Sequence, residues 1–279
     1  MTISPRSVSL SAAGIVCLGL CGLALAHPNR VVPVTQQRHT VSSMQDRAGE
    51  RRSLGRAFYF TRAIYSNYAR DFGYGRRGRR GSWAIDFPTA DRLFMVGVRR
   101  LTGIDAYEYE NPVRLDDPEL RRFPFLYALE VGAMSLTEPE VEGLRDYLLA
   151  GGFLVIDDFW GTYEWQNFEA EISRVLPQYP IVDIPLDHEL LSSFYEIDSI
   201  VQVPNVGNGR SGGPTWERDG YVPALKGIFD DHDRLMVVIN WNTDLGDAWE
   251  WADDPWYPWK FSLFAYQMGV NMIVYGMSH

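Results

Sequence analysis

The chain reads as an α/β protein with a doubly wound, mostly parallel sheet, on three observations. Strand-like and helix-like segments alternate along it. Its clearest strands, FLVI before Asp157 and LMVVI before Asn240, are unbroken apolar runs, as expected of strands covered on both faces. No internal repeat and no second domain break the pattern over residues 55–279.

Residues 1–26 stand outside the fold. Arg6 supplies a basic start, Ala12 to Leu25 an apolar core, and Ala24-Leu25-Ala26 an A-x-A site before His27. The apolar core is short for a membrane span, which takes about 20 residues, so a cleaved signal peptide is expected. Membrane association is then expected only through an uncleaved signal segment. Residues 27–54 are polar, proline-bearing and without periodicity, a flexible linker.

The domain proper opens with an aromatic strand, Ala57 to Thr61. A glycine-arginine loop follows, with a G-x-G-x-x-G at Gly73, Gly75 and Gly78. No helix-forming run comes after it, which argues against a nucleotide fingerprint; Trp83 to Pro88 reads as extended. Leu93, Phe94, Val96 and Val98 followed by Gly103 predict a helix, and PVRLD and PFLYALEVG two short strands. The next helix carries a capping box, Thr137 with Glu140, with Pro139 in its first turn. Its apolar stripe is Val141, Leu144, Leu148 and Leu149, and Gly151 can end it. FLVID is a buried strand. YEWQNFEAEISRVLP is a helix stopped by Pro177, RLMVVIN another buried strand, and Phe261 to Tyr275 a closing helix. GNGRSGG, at 207–213, reads as a mobile loop.

Composition narrows the function. Both cysteines, Cys17 and Cys21, fall in the signal segment, so the chain from His27 has neither a disulfide nor a thiol nucleophile. Its roughly 250 residues are enough for one ordinary hydrophobic core. Residues 1–80 carry a balance of +10 and the remainder −20, for a net −10. An acidic core repels nucleic acid, and no nucleic-acid partner is expected. No G-x-S-x-G supports serine chemistry.

In a doubly wound sheet, ligands bind beyond the carboxyl ends of the strands. Those ends bring Arg62, Glu130, the pair Asp157-Asp158, Asn240, and then Asp244, Asp247 and Glu250, with Trp160 beside them. Three readings of the carboxylates stay open. They are structural, as caps or partners of Arg62. Or Asp157, Asp244 and Asp247 hold a divalent cation through oxygen ligands, although DLGDAWEWADD lacks the EF-hand order. Or Asp157 or Asp158 is a general base whose pKa its neighbour raises. His188, opening a helical turn, is a further catalytic candidate, though capping is the commoner role. Five of the nine tryptophans lie between Trp241 and Trp259, suited to stacking on sugars or to pinning a loop.

FYFTRAIYS, WAIDFPTAD, LTGI, FPFLYALEVGAMSLTEPEVEGLRDYLLAGGFLVIDDFWG, LDHEL and NWNTDLGDAWE together resemble the DUF4159 family, a bacterial domain of unknown function, over roughly residues 57 to 276. The resemblance implies a flavodoxin-like sheet similar to class I glutamine amidotransferases, and an association with cell-envelope architectures. Amidotransferase chemistry needs a cysteine after a central strand, and Asp157-Asp158 stand at the comparable strand end. The expectation is a periplasmic or secreted cell-envelope protein that binds a ligand or partner, a glycan or an envelope protein, without turnover. The alternative is a metal-assisted hydrolase acting on a glycan or peptidoglycan-like substrate.

Overall fold

The two apolar runs form the centre of a seven-stranded sheet. A computed structural model describes residues 31–32, 55–68 and 81–279. The expected signal segment, the expected linker apart from Val31–Val32, and the expected glycine-arginine loop lie outside the described residues. The strands are β1 (Val31–Val32), β2 (Thr61–Ile64), β3 (Asn67–Tyr68), β4 (Asn111–Arg114), β5 (Phe125–Leu129), β6 (Phe153–Asp157), β7 (Ile181–Asp183), β8 (Ala224–Phe229) and β9 (Leu235–Trp241). β1 and β3 form a separate antiparallel pair.

The main sheet runs β4-β2-β5-β6-β9-β8-β7. Its first five strands are parallel, with Leu126 beside Leu154 and Ile156 beside Ile239. β8 turns antiparallel to β9, and β7 antiparallel to β8. After β4 the chain crosses β2 to form β5, so strand order reverses between β2 and β5. That is the switch point where such sheets open a crevice.

The helices are α1 (Thr89–Thr102), α2 (Glu138–Leu149), α3 (Gly161–Val175), α4 (Val206–Ser211), α5 (Leu245–Glu250) and α6 (Trp259–Ser278). Strand alternation divides the core in two. Leu126, Ala128, Leu154, Ile156 and Ile239 pack with Val141, Leu144 and Leu148 of α2 and Phe168 and Ile172 of α3. Phe125, Tyr127, Phe153 and Val155 pack with α1, α5 and α6 through Phe94, Trp249 and Met268. Trp249 stacks on Phe94 at 4.1 Å between ring centroids, a contact worth about 0.5–1.5 kcal/mol beyond its buried area. The capping box at Thr137 and Glu140 forms as expected, and Gly103, at φ 71°, ends α1 in the left-handed conformation. Among the described residues, no helix is long and apolar enough to cross a membrane.

Several local expectations are corrected. The first strand begins at Thr61 rather than ending there. Phe58 makes only an isolated bridge to Ala106. The sequence signal stops early because Arg62 interrupts the apolar run, yet Arg62 is buried inside the strand and ion-paired with Asp91 of α1. Residues 83–88 are not extended: Ser82–Ala84 is a 3-10 turn, and the chain turns through Asp86 at φ 56°. Val206–Ser211 is a short helix rather than a loop, with Asn205 Oδ1 accepting from Asn208 N at 2.9 Å and Gly212 closing it at φ 64°. β7 and β8 were not legible as strands.

Candidate functional site

The strand ends are laced together by backbone. Glu130 N donates to the carbonyls of Asp157 and Asp158 at 3.2 and 3.0 Å, Asp158 N to Thr243 O at 3.1 Å, and Asn242 N to Phe159 O at 3.1 Å. Four non-glycine residues take the left-handed conformation here: Asp86, Glu130, Asp158 and Asn242, with φ between 49° and 59°. Such positions cost of order 1–3 kcal/mol each and gather where the surroundings hold side chains for function.

The two adjacent aspartates face different neighbours. Asp157 follows Phe153 and Val155 onto the α5 and α6 side of the sheet. Its Oδ2 accepts from Tyr127 Oη at 2.6 Å and from the amides of Leu245 and Gly246 at 3.0 and 3.2 Å. It thus seats the start of α5, while Oδ1 is buried without a partner. Burial pushes the Asp157 carboxyl up to about 7, against the lowering effect of those hydrogen bonds. Asp158 turns instead towards Asp86 and Asp244. One carboxylate oxygen from each of these three lies within 4.8 Å of the others.

A second group of the same kind joins Asp86 to Asp247 and Glu250 of α5. Burial raises the Asp158 carboxyl well above its usual range, and the charges of Glu130, Asp86 and Asp157 add to this. Asp244 is raised by burial and then by Asp158, Asp247 and Asp86. Asp86 is raised by burial and then by Asp247 and Glu250, with Arg62 opposing. Asp244 also caps α5, its Oδ1 accepting from Asp247 N at 2.8 Å.

These oxygens crowd the backbone at Gly246. A Cβ placed on Gly246 would lie 3.2 Å from Asp86 Oδ2, 3.4 Å from Tyr127 Oη and 3.6 Å from Asp244 Oδ1. Asp86 Oδ2 is buried and has no hydrogen-bond partner. Crowded, desolvated carboxylates need a proton or a cation to be stable. The donor set is oxygen only, which suits magnesium, calcium or manganese.

Other residues singled out in the sequence sit nearby in structural roles. Arg62 donates to both Asp91 oxygens and to Ile85 O, and its guanidinium lies 4.9 Å from the Tyr127 ring centre. Trp160 is buried, its Nε1 donating to Asp158 Oδ1 at 2.9 Å, so it steadies that carboxylate. Asn240 donates to Ile156 O at 3.0 Å within the sheet. His188 stands at the opposite end of the sheet, against Phe229 and Tyr275, with Nδ1 accepting from Leu190 N at 3.1 Å. Of the late tryptophans, Trp249 is core and Trp241 packs on Trp165, while Trp256 and Trp259 are exposed. Sequence reasoning passed over Asp86 as a site residue. Its signal was its place in WAIDFPTAD, one of the segments that carry the family resemblance.

The fold and these carboxylates together define a class: a doubly wound α/β domain with an acidic cluster beyond its strand ends. Within that class the chain belongs to the family described as Domain of unknown function (DUF4159), whose model matches residues 71–277. No curated protein matches the chain.

Proposed function

We propose that this is an exported cell-envelope domain that holds a hard divalent cation in its strand-end crevice and takes its ligand there without turnover. One observation carries the reading: Asp158 and Asp244 converge from two strand ends on Asp86, whose Oδ2 is buried without a hydrogen-bond partner close against Gly246. Export is read from Arg6, the apolar run and the A-x-A site before His27, and it directs the search for a ligand to envelope proteins and glycans. Among the parallel strands taken in chain order, the arrangement 2-1-3-4-5 supports a flavodoxin-like ancestry. With no cysteine beyond residue 26, that ancestry brings no amidotransferase chemistry.

The test is thermal unfolding of the full chain, titrated with magnesium, calcium, manganese and zinc after treatment with chelator. A cation at 100 times its dissociation constant adds about 2.7 kcal/mol of stability. Asp158→Asn and Asp244→Asn are expected to fold and to show a weaker response. Wild-type protein with no response to any of the four ions overturns the reading.

Metal-assisted hydrolysis of a glycan or peptidoglycan-like substrate is the second reading. The observation favouring it is Asp157, whose carboxyl at about 7 beside the crevice is matched to general-base work. Release of soluble fragments from peptidoglycan by the cation-loaded protein, lost in Asp157→Asn, would replace binding with turnover.

A further inference from the structure

We infer that the crevice is a two-cation centre in which Asp86 bridges two positions. The inference rests on the cation reading above and extends it. The first position is the group of Asp86, Asp158 and Asp244; the second is Asp86 with Asp247 and Glu250.

Helix α5 sets the spacing. Asp244 is its N-cap, and Asp247 and Glu250 follow at intervals of three, so all three acids line one face. Three residues rise about 4.5 Å along a helix axis. Asp244 therefore serves a point at the head of the helix, and Asp247 and Glu250 a point about one turn further on. The cations of two-metal enzyme sites stand about 3.5–4 Å apart, close to that rise. Asp86, entering from the turn before α1, is common to both groups, and a carboxylate has two oxygens with which to bridge.

Charge points the same way. The two groups hold Asp86, Asp158, Asp244, Asp247 and Glu250, and Glu130 adds its field to Asp158 and Asp86. Arg62, whose charge reaches Asp86, is already ion-paired with Asp91, and Arg210, whose charge reaches Asp247, with Asp254. One divalent ion leaves three of the five carboxylate charges in the two groups uncompensated, and two ions leave one. The buried, unpartnered Asp86 Oδ2 supplies the independent observation, because a desolvated carboxylate oxygen with no donor is a ligand atom awaiting a cation.

The experiment is a manganese titration of the full chain, counting bound ions by equilibrium dialysis and following the electron paramagnetic resonance spectrum. Wild type is expected to bind two ions, with the exchange-coupled signal of a bridged pair. Glu250→Gln and Asp158→Asn are each expected to bind one, without that coupling. Glu250 is half-buried at the end of α5, so its variant is the one expected to fold normally, checked by circular dichroism. One ion in wild type, or an unchanged count in Glu250→Gln, overturns the second position and leaves the single-cation reading intact. No ion bound to wild type overturns both.

Discussion

Tyr127 and Asp157 are joined by a 2.6 Å hydrogen bond between the middle of one parallel strand and the end of the next. The same Asp157 oxygen accepts the first two amides of α5, so a single carboxylate couples the sheet to the helix that carries Asp247 and Glu250. The bond makes Asp157 the support of the crevice, and it accounts for a fully buried acid at the close of an apolar strand.

Tyr127→Phe is expected to destabilise the cation-free protein by about 1–3 kcal/mol, since it removes a buried donor from a carboxylate that has few others. Asp157→Asn should cost a similar amount, because the amide is a weaker acceptor and its Nδ2 becomes a buried donor without an acceptor where Oδ1 now stands unpartnered. Urea denaturation in the presence of chelator measures both. A neutral result for the pair would mean that Asp157 does not seat α5.

Arg62 is expected to behave as a buried structural cation. Arg62→Met leaves Asp91 charged and alone between β2 and α1, and breaking a buried pair in this way costs about 3–5 kcal/mol. The double variant with Asp91→Asn should recover part of the loss. An Arg62→Met protein of wild-type stability with weakened ligand binding would put Arg62 in the crevice instead.

The cation-free protein should be more stable in mild acid than at neutral pH. Burial and neighbouring charges raise Asp86, Asp157, Asp158 and Asp244 above their ordinary value of 3.8, Asp157 to about 7. The folded state then binds more protons than the unfolded one between those limits. The associated stability is complete below pH 4 and is lost as pH rises through about 7. Bound cation reverses the trend, since protons compete with it. Denaturation midpoints measured from pH 4.5 to 8, with chelator and with excess cation, should slope in opposite directions. Parallel slopes would mean that the cluster does not titrate in this range.

How far the sequence reaches is clear from particular residues. FLVID, the capping box at Thr137 and the stop at Gly103 are local signals, and each formed where expected. The gathering of Asp158, Asp244, Asp247 and Glu250 was legible because parallel strands present their carboxyl ends on one side. Asp86 was not, because it reaches the crevice from a left-handed turn ahead of α1, and no strand-end rule points there. The division of labour between Asp157 and Asp158 was also hidden. It depends on the start of α5, which the acid-rich TDLGDAWE does not announce as a helix. β8 escaped notice because Lys226 and Gly227 break its apolar run, and β7 because Val182 and Asp183 are exposed at the sheet edge.

Gly246→Ala tests the central claim most directly, because it crowds the carboxylate oxygens and removes none of them. The new methyl would stand 3.2 Å from Asp86 Oδ2 and 3.6 Å from Asp244 Oδ1, in a helical residue where alanine is otherwise favoured by about 0.5–1 kcal/mol. The account predicts a folded protein, within about 1 kcal/mol of wild type without cation. Its cation affinity, measured by calorimetric titration, should fall at least about tenfold, equivalent to 1.4 kcal/mol. A folded Gly246→Ala protein that binds cation as tightly as wild type would contradict it.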